Sequence, residues 1–264
     1  MRPRVAVVGA GLSGLAAARE LASAAMVTLV DRLPATGGEA GWEHASVRAL
    51  TDECGRAGVE MQLGATALRW EGGRLLTAAP GAIAWRSFDH LVVATGCRPA
   101  TRAELRLAGS RGAGVLSALV AIHLAEAGAP MGRRVAILGT TPWAERMGRD
   151  VRAAGSRVVV IAPDGSVRPP YADDWWPGWE AVEVEGHPRV TRLVLERDGV
   201  RMHCACDSVV LADDPRPLRN VDGALADVPG VSFVQAWEPD PSAKIARSSE
   251  LARLVLATLK GAIA

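Results

Sequence analysis

Apolar residues along this chain come in short runs of strand length, each closed by glycine or a charged residue, and between them lie longer stretches with helical spacing. Residues 5–8 form a β-rich run that glycine interrupts, 15–25 an Ala/Leu-rich helical pattern, and 26–30 a second apolar run ending in Asp31. The pattern then predicts a helix over 43–57 and a strand over 59–70 that ends in the turn Glu71-Gly72-Gly73. A small β-meander from 74–79 and 83–85 precedes a strand at 91–93. From residue 133 the rhythm starts again, with a β-rich run at 133–138, a turn from Gly139 to Glu145, a helical stretch to Ala154 and a strand over 158–161. The chain closes with strands at 207–212 and 232–236 around a polar connection over 215–227. A final helix over 242–263 has apolar positions Ile245, Leu251, Leu254, Val255 and Leu259. Strand, helix and strand in that order, twice over, predict an α/β protein with parallel sheets.

Composition narrows the functional classes. The 264 residues suit about two domains. Apolar residues at 49% and charged residues at 22% speak against disorder and against a coiled coil. With 30 basic side chains against 29 acidic ones, nothing attracts a nucleic acid. Only Lys244 and Lys260 of the basic residues are lysine, which reads as genomic base composition rather than function. Cys54, Cys97, Cys204 and Cys206 show neither zinc spacing nor C-x-x-C, and His44, His90, His123, His187 and His203 lack ligand spacing. No metal site is expected, and no catalytic acid, base or nucleophile can be assigned. No stretch reaches the ~18 apolar residues of a membrane span, and the run at 5–8 is too short for a signal segment. With the thiols read as free, the expected compartment is the cytoplasm.

The candidate chemistry is concentrated at Gly9-Ala10-Gly11-Leu12-Ser13-Gly14, between the first strand and the first helix, where a phosphate-binding unit needs it. Gly9 serves a tight turn, Gly11 lets the backbone approach a pyrophosphate, and Gly14 lets the helix pack closely on the strand. The helix N-terminus turns its N–H groups toward the phosphates. Asp31, twenty residues after Gly11, is placed to accept hydrogen bonds from an adenosine ribose. Arg32 has two readings, a contact to a 2′-phosphate or a solvated arginine at a strand end.

Together with Gly37-Gly38 and with Ala94-Thr95-Gly96-Cys97-Arg98-Pro99 after the strand at 91–93, these residues resemble flavoproteins with two dinucleotide-binding domains, the pyridine nucleotide-disulfide oxidoreductase-like superfamily. The resemblance covers the whole chain. It implies two Rossmann-like three-layer α/β domains, the second inserted into the first. Residues 1–129 and 213–264 would be an FAD-type domain, and 130–212 an NAD(P)- or ADP-type insert. It also implies FAD on Gly9 to Gly14 and Asp31, Gly38 near the phosphates, an adenine contact around Ala65 and Ala67, and Ala94, Thr95 and Gly96 closing the domain. For Glu39 and Trp42, a flavin contact and a plain surface or packing role both stand. In such proteins a Gly-Asp after the returning strand binds the flavin ribityl chain. Here that register falls on Gln235 and Ala236, leaving Gln235, Glu238 or Asp240 as substitutes for the missing carboxylate.

The second turn, Gly139-Thr140-Thr141-Pro142-Trp143-Ala144, keeps a single glycine of the G-x-G-x-x-G pattern, and the strand behind it ends in Ala162-Pro163. A dinucleotide against the threonine hydroxyls and an empty or repurposed site are both open. The tract looks most like the ADP-binding-type domain of the trimethylamine dehydrogenase and 2,4-dienoyl-CoA reductase group, whose barrel and iron–sulfur cluster have no counterpart here. The leading expectation is an FAD-dependent oxidoreductase, the flavin- or nucleotide-binding electron-transfer subunit of a larger complex with a flavin or iron–sulfur partner. The competing one is a non-catalytic nucleotide-binding subunit docked on a catalytic partner. Disulfide-reductase chemistry is disfavoured because the cysteine pair is missing. Trp175, Trp176 and Trp179 lie in a turn-rich insertion over 163–188, with own-domain packing, a subunit interface and a cofactor lid as readings.

Overall fold

The structure is a computed structural model that describes residues 2–234 and 237–261. The chain forms two compact units, one from the residues up to Cys97 and those from Pro217 onward, the other from Arg98–Arg216.

The first unit begins with β1 (Arg4–Val8), α1 (Leu12–Leu21), β2 (Met26–Asp31), α2 (Ala45–Arg56) and β3 (Glu60–Leu63). Then come β4 (Thr66–Glu71), β5 (Arg74–Ala79), β6 (Ala82–Ser87) and β7 (His90–Val93). After the second unit the chain returns as the strand Val231–Phe233 and the helix Pro241–Gly261. Five parallel strands make the central sheet, in the order Val231–Phe233, β7, β1, β2, β3. Successive residues of β1 face opposite layers, as strand geometry requires. Val5 and Val7 join Leu15, Leu21, Val47 and Leu259 on the helical face. Ala6 and Val8 join Trp70, Leu75 and Phe88 under the antiparallel sheet β4-β5-β6. A strand covered on both faces has no polar alternation, which is why β1, β2 and β7 read as continuous apolar runs.

The strand expected over 59–70 is two strands, broken at Gly64 with φ +74°; β3 extends the parallel sheet and β4 starts the antiparallel one. In the last helix Leu254 is 62% exposed and Leu256 packs in its place, while Val255 and Leu259 are buried as expected.

The second unit has its own parallel sheet, ordered Val115–Ser117, Ser208–Leu211, Arg134–Leu138, Arg157–Ala162, Asp174–Pro177. An antiparallel sheet of Glu180–Glu185, Arg192–Arg197 and Val200–Ala205 shares its core, which includes Leu138, Ile161, Leu193 and Leu195. The boundary expected between 129 and 130 therefore falls at Cys97/Arg98, because Val115–Ser117 pairs with Ser208–Leu211 and the helix Ala118–Glu126 packs on Pro142–Ala153. The return falls at Arg216/Pro217 rather than at 212/213. The tryptophan insertion packs on its own unit. Trp175 and Trp176 lie on the edge strand Asp174–Pro177, and Trp176 meets Trp179 edge-on, with ring centroids 5.9 Å apart, against the unit's core. Tyr171 is buried and covers Gly148 of the helix Pro142–Ala153.

Candidate functional site

From β1 the first unit's sheet extends through β2 and β3 on one side and through β7 on the other, so the crevice between β1 and β7 is the point where open α/β sheets hold ligands. The glycine turn sits at this point. Gly9 donates to the Val30 carbonyl at 2.8 Å with φ +109°, and a Cβ on it would lie 2.3 Å from the Ala94 oxygen. A Cβ on Gly14 would lie 1.7 Å from the Gly9 oxygen, so helix and strand touch there. Both glycines are demanded by the fold.

Gly11 is different. Its φ of −77° and ψ of −178° suit any residue, and a Cβ on it would meet nothing nearer than the Gly37 oxygen at 3.8 Å. Neither backbone nor packing explains a glycine, which leaves the free space outside it. That space lies at the start of α1, which has no side-chain cap and no acidic residue in its first turn. The N–H groups of Leu12, Ser13 and Gly14 thus lack intrahelical acceptors.

A second loop braces the turn. Gly37 donates to the Ala10 carbonyl at 2.8 Å, and Gly38 lies against the Gly11 Cα. Asp31 ties the end of β2 to the same turn, Oδ2 accepting from the Ala10 N–H at 2.6 Å and Oδ1 from the Leu33 N–H at 2.8 Å. Each oxygen keeps acceptor capacity for a further donor. Bare backbone, unengaged N–H groups and one carboxylate suit a phosphate chain ending in a sugar diol.

Arg32 is exposed beside Asp31 and has no ion-pair partner among the described residues. Glu39 lies in the single turn Gly38–Ala40, and Trp42 is 61% exposed just beyond it. Ala65 donates to the Asp31 carbonyl at 2.9 Å, but the Ala65 and Ala67 methyl groups are buried in the core under β4-β5-β6. The Thr95 hydroxyl donates to the Leu218 carbonyl, whose N–H returns to Gly96 at 2.9 Å. A cavity of about 210 Å³ opens here at the ends of β7 and Val231–Phe233, with Arg219 stacked over Phe233 at 5.5 Å. Arg219 lies in the polar connection, and no sequence signal marked it. Gln235 and Ala236 lie outside the described residues. Glu238 pairs with Arg247 at 2.8 Å, and Asp240 caps the last helix by accepting from the Ala243 N–H at 2.7 Å, so both carboxylates have structural partners.

The second unit repeats the turn and closes it. Gly139 donates to the Ile161 carbonyl at 2.8 Å, as Gly9 does to Val30. Where Gly11 stands in the first unit, Thr141 caps the helix, accepting from the Ala144 N–H at 3.5 Å and donating to the Ala212 carbonyl at 2.6 Å. Pro142 removes the next N–H altogether. All four thiols are held up chiefly by burial, Cys54 and Cys97 to about 11 and Cys206 to about 12. Burial likewise lowers the His90 pKa, and its Nε2 lies 3.0 Å from the Ser232 hydroxyl. Among the described residues no cluster of His, Cys, Asp or Glu could hold a metal ion, and no helix is long and apolar enough to cross a membrane.

Two parallel-sheet units, one with an open glycine turn at its switch point, define an α/β protein of the Rossmann-like type. Comparison with known proteins agrees with that class: residues 1–115 match the family model described as pyridine nucleotide-disulphide oxidoreductase. No curated protein matches the chain in sequence. Among solved structures, thioredoxin reductase from Lactococcus lactis aligns over 97% of this chain and 98% of its own at 15% identity and a TM-score of 0.67. A pyridine nucleotide-disulfide family oxidoreductase from Enterococcus faecalis aligns over 96% of this chain and 68% of its own, at 17% and 0.72. Ornithine N-hydroxylase from Kutzneria sp. 744 aligns over 98% and 100%, at 12% and 0.73. At such identities the likeness establishes the fold.

Proposed function

We propose that the first unit binds FAD and that the protein is an FAD-dependent oxidoreductase, acting as the electron-transfer subunit of a larger redox assembly. The observation that carries this reading is Gly11, a glycine with no internal reason to be one, at the uncapped start of α1. The residues present fit the ADP half of FAD. The α1 N-terminus and the bare Gly11 and Gly38 backbone would hold the pyrophosphate, and Asp31 would accept from the ribose hydroxyls. Thr95, Gly96 and the cavity beside them would face the flavin half. Bound there, FAD supplies hydride and electron chemistry, while the protein supplies binding and orientation. The family match falls on the residues that carry this site, and the ornithine N-hydroxylase structure is described with reduced FAD and NADP⁺.

The closed second turn bears on the electron partner. A nicotinamide nucleotide held by that unit takes its phosphate contacts from groups other than the start of the helix Pro142–Ala153. Exchange with a flavin or iron–sulfur subunit is the route this favours. The tract 134–163, which resembles the ADP-type domain of the trimethylamine dehydrogenase and 2,4-dienoyl-CoA reductase group in sequence, would suit such a route. The buried, weakly acidic thiols speak against dithiol exchange. The second reading, a nucleotide-holding structural subunit, draws on Glu238 and Asp240 being engaged elsewhere. The absorption spectrum of the purified protein, followed by anaerobic titration with NADH and NADPH, decides between them. Flavin bands that stay oxidised until a reduced partner is added support the subunit reading, and bands bleached by the nucleotide alone support a self-sufficient oxidoreductase. A colourless protein that releases ADP on denaturation would overturn the flavoenzyme reading.

A further inference from the structure

We propose that the second unit carries a separate site for a small organic carboxylate with an apolar body, in the cavity between the loop after Arg98 and the start of the helix Ala118–Glu126. The cavity measures about 830 Å³, inside the range of about 300–1,000 Å³ usual for small-molecule sites. It opens at the end of the sheet formed by Val115–Ser117 and Ser208–Leu211, and no residue of the closed turn Gly139 to Ala144 lines it.

Its walls are mostly hydrocarbon, from Pro99, Ala103, Leu107, Val115, Leu119 and Leu211, which is more apolar surface than an inorganic ion would use. The charged residues of the wall are all arginines, and they differ in how they are engaged. Arg98 is neutralised by a two-pronged pair with Glu104 at 2.8 and 2.9 Å. Arg102 donates to the successive carbonyls of Leu107, Ala108, Gly109 and Ser110, which clamps the loop in place, and it has no acidic partner among the described residues. Arg111 is exposed at the cavity and has no hydrogen-bond or ion-pair partner among the described residues. The start of the helix, capped by Ser117 and without an acidic residue in its first turn, adds potential of the same sign.

A net positive wall with one unengaged planar fork matches a single carboxylate, which a guanidinium grips through two parallel hydrogen bonds. The hydrocarbon walls then take the rest of the molecule, a medium-length alkyl chain or an aryl group. This site does not depend on flavin binding in the first unit.

Calorimetric titration of the full chain with octanoate, and with 1-octanol as the uncharged counterpart, tests the proposal. Saturable one-to-one binding of octanoate is expected, about tenfold or more tighter than octanol. Arg111→Ala should weaken octanoate about tenfold, Arg111→Lys should restore part of it, and Arg111→Glu should abolish it. Because Arg111 is exposed and unpartnered, these variants should keep the wild-type melting temperature and flavin content, which checks that the fold is intact. The proposal is overturned by absence of saturable binding at millimolar octanoate, by equal affinity of the Arg111→Ala protein, by octanol binding as well as octanoate, or by displacement of octanoate with NADPH.

Discussion

Replacing Gly11 by serine should stabilise the empty protein while weakening its nucleotide site, a pairing of signs that few substitutions produce. The backbone at Gly11 suits serine without strain, and the added Cβ meets nothing closer than 3.8 Å. Reduced freedom of the unfolded chain contributes about 0.4–1 kcal/mol, and a serine cap in place of glycine a few tenths more. For a chain of this size a gain of about 1 kcal/mol raises the melting temperature by about 2–4 °C. The same hydroxyl would occupy the open space and take an N–H from the first turn of α1, as Thr141 does in the second unit. Each charge-assisted hydrogen bond lost to a phosphate is worth about 1.5–3 kcal/mol, so FAD should bind about ten- to hundredfold more weakly. Thermal unfolding of the flavin-free protein and fluorescence titration with FAD measure the two effects separately. A Gly11→Ser protein that binds FAD as the wild type does would refute the reasoning, because the space outside Gly11 would then not be a nucleotide cradle.

Arg86 grips Glu60 through two hydrogen bonds of 2.7 Å and holds its carboxyl at about 2, below its unfolded value. The stabilisation is therefore complete above the unfolded pKa of about 4.5 and is lost as the pH falls toward 2. Glu60→Gln should flatten that acid slope in urea unfolding and cost at most about 1 kcal/mol at neutral pH, since the pair is partly exposed. A Cβ at Gly148 would lie 2.1 Å from the Tyr171 ring, so Gly148→Ala should cost about 1–3 kcal/mol in thermal unfolding. An unchanged melting temperature would show that Tyr171 is not seated there. With Cys54 and Cys97 raised to about 11, Cys206 to about 12 and Cys204 raised as well, iodoacetamide at about pH 8 should label the native protein far more slowly than the urea-unfolded chain. Any cysteine alkylated at the rate of a free thiol would contradict that burial.

What could be read from the sequence was whatever a local rule enforces. The order of β1, α1 and β2, the turn at Gly9 to Gly14 and the acidic end of β2 follow from glycine chemistry and apolar periodicity over short spans. The break at Gly64 was hidden, because β3 and β4 follow each other with only two residues between them and only the tertiary structure sends them to different sheets. The domain boundary was misplaced for a related reason. Val115–Ser117 is three residues long and carries no fingerprint, and its membership of the second sheet rests on pairing with a strand far along the chain, Ser208–Leu211. Arg102 and Arg219 were invisible, since one arginine among 28 carries no signal until the carbonyls or the ring it meets are in place. The tryptophans of the insertion announced a large apolar area, but not that the unit's own core would take Trp176 and Trp179.

The matched turns of the two units also separate two demands that a glycine-rich turn serves. Gly139 keeps the bond to the neighbouring strand that Gly9 keeps, while the position two residues on differs by one side chain, Gly11 in one unit and Thr141 in the other. The strand-to-helix joint and the capacity to cradle phosphate are therefore separable properties. A side chain two residues past the first glycine can close the cradle without endangering the joint, because its hydroxyl caps the helix. A βαβ unit whose turn is closed in this way is still a stable scaffold, with room for a cavity at another strand end.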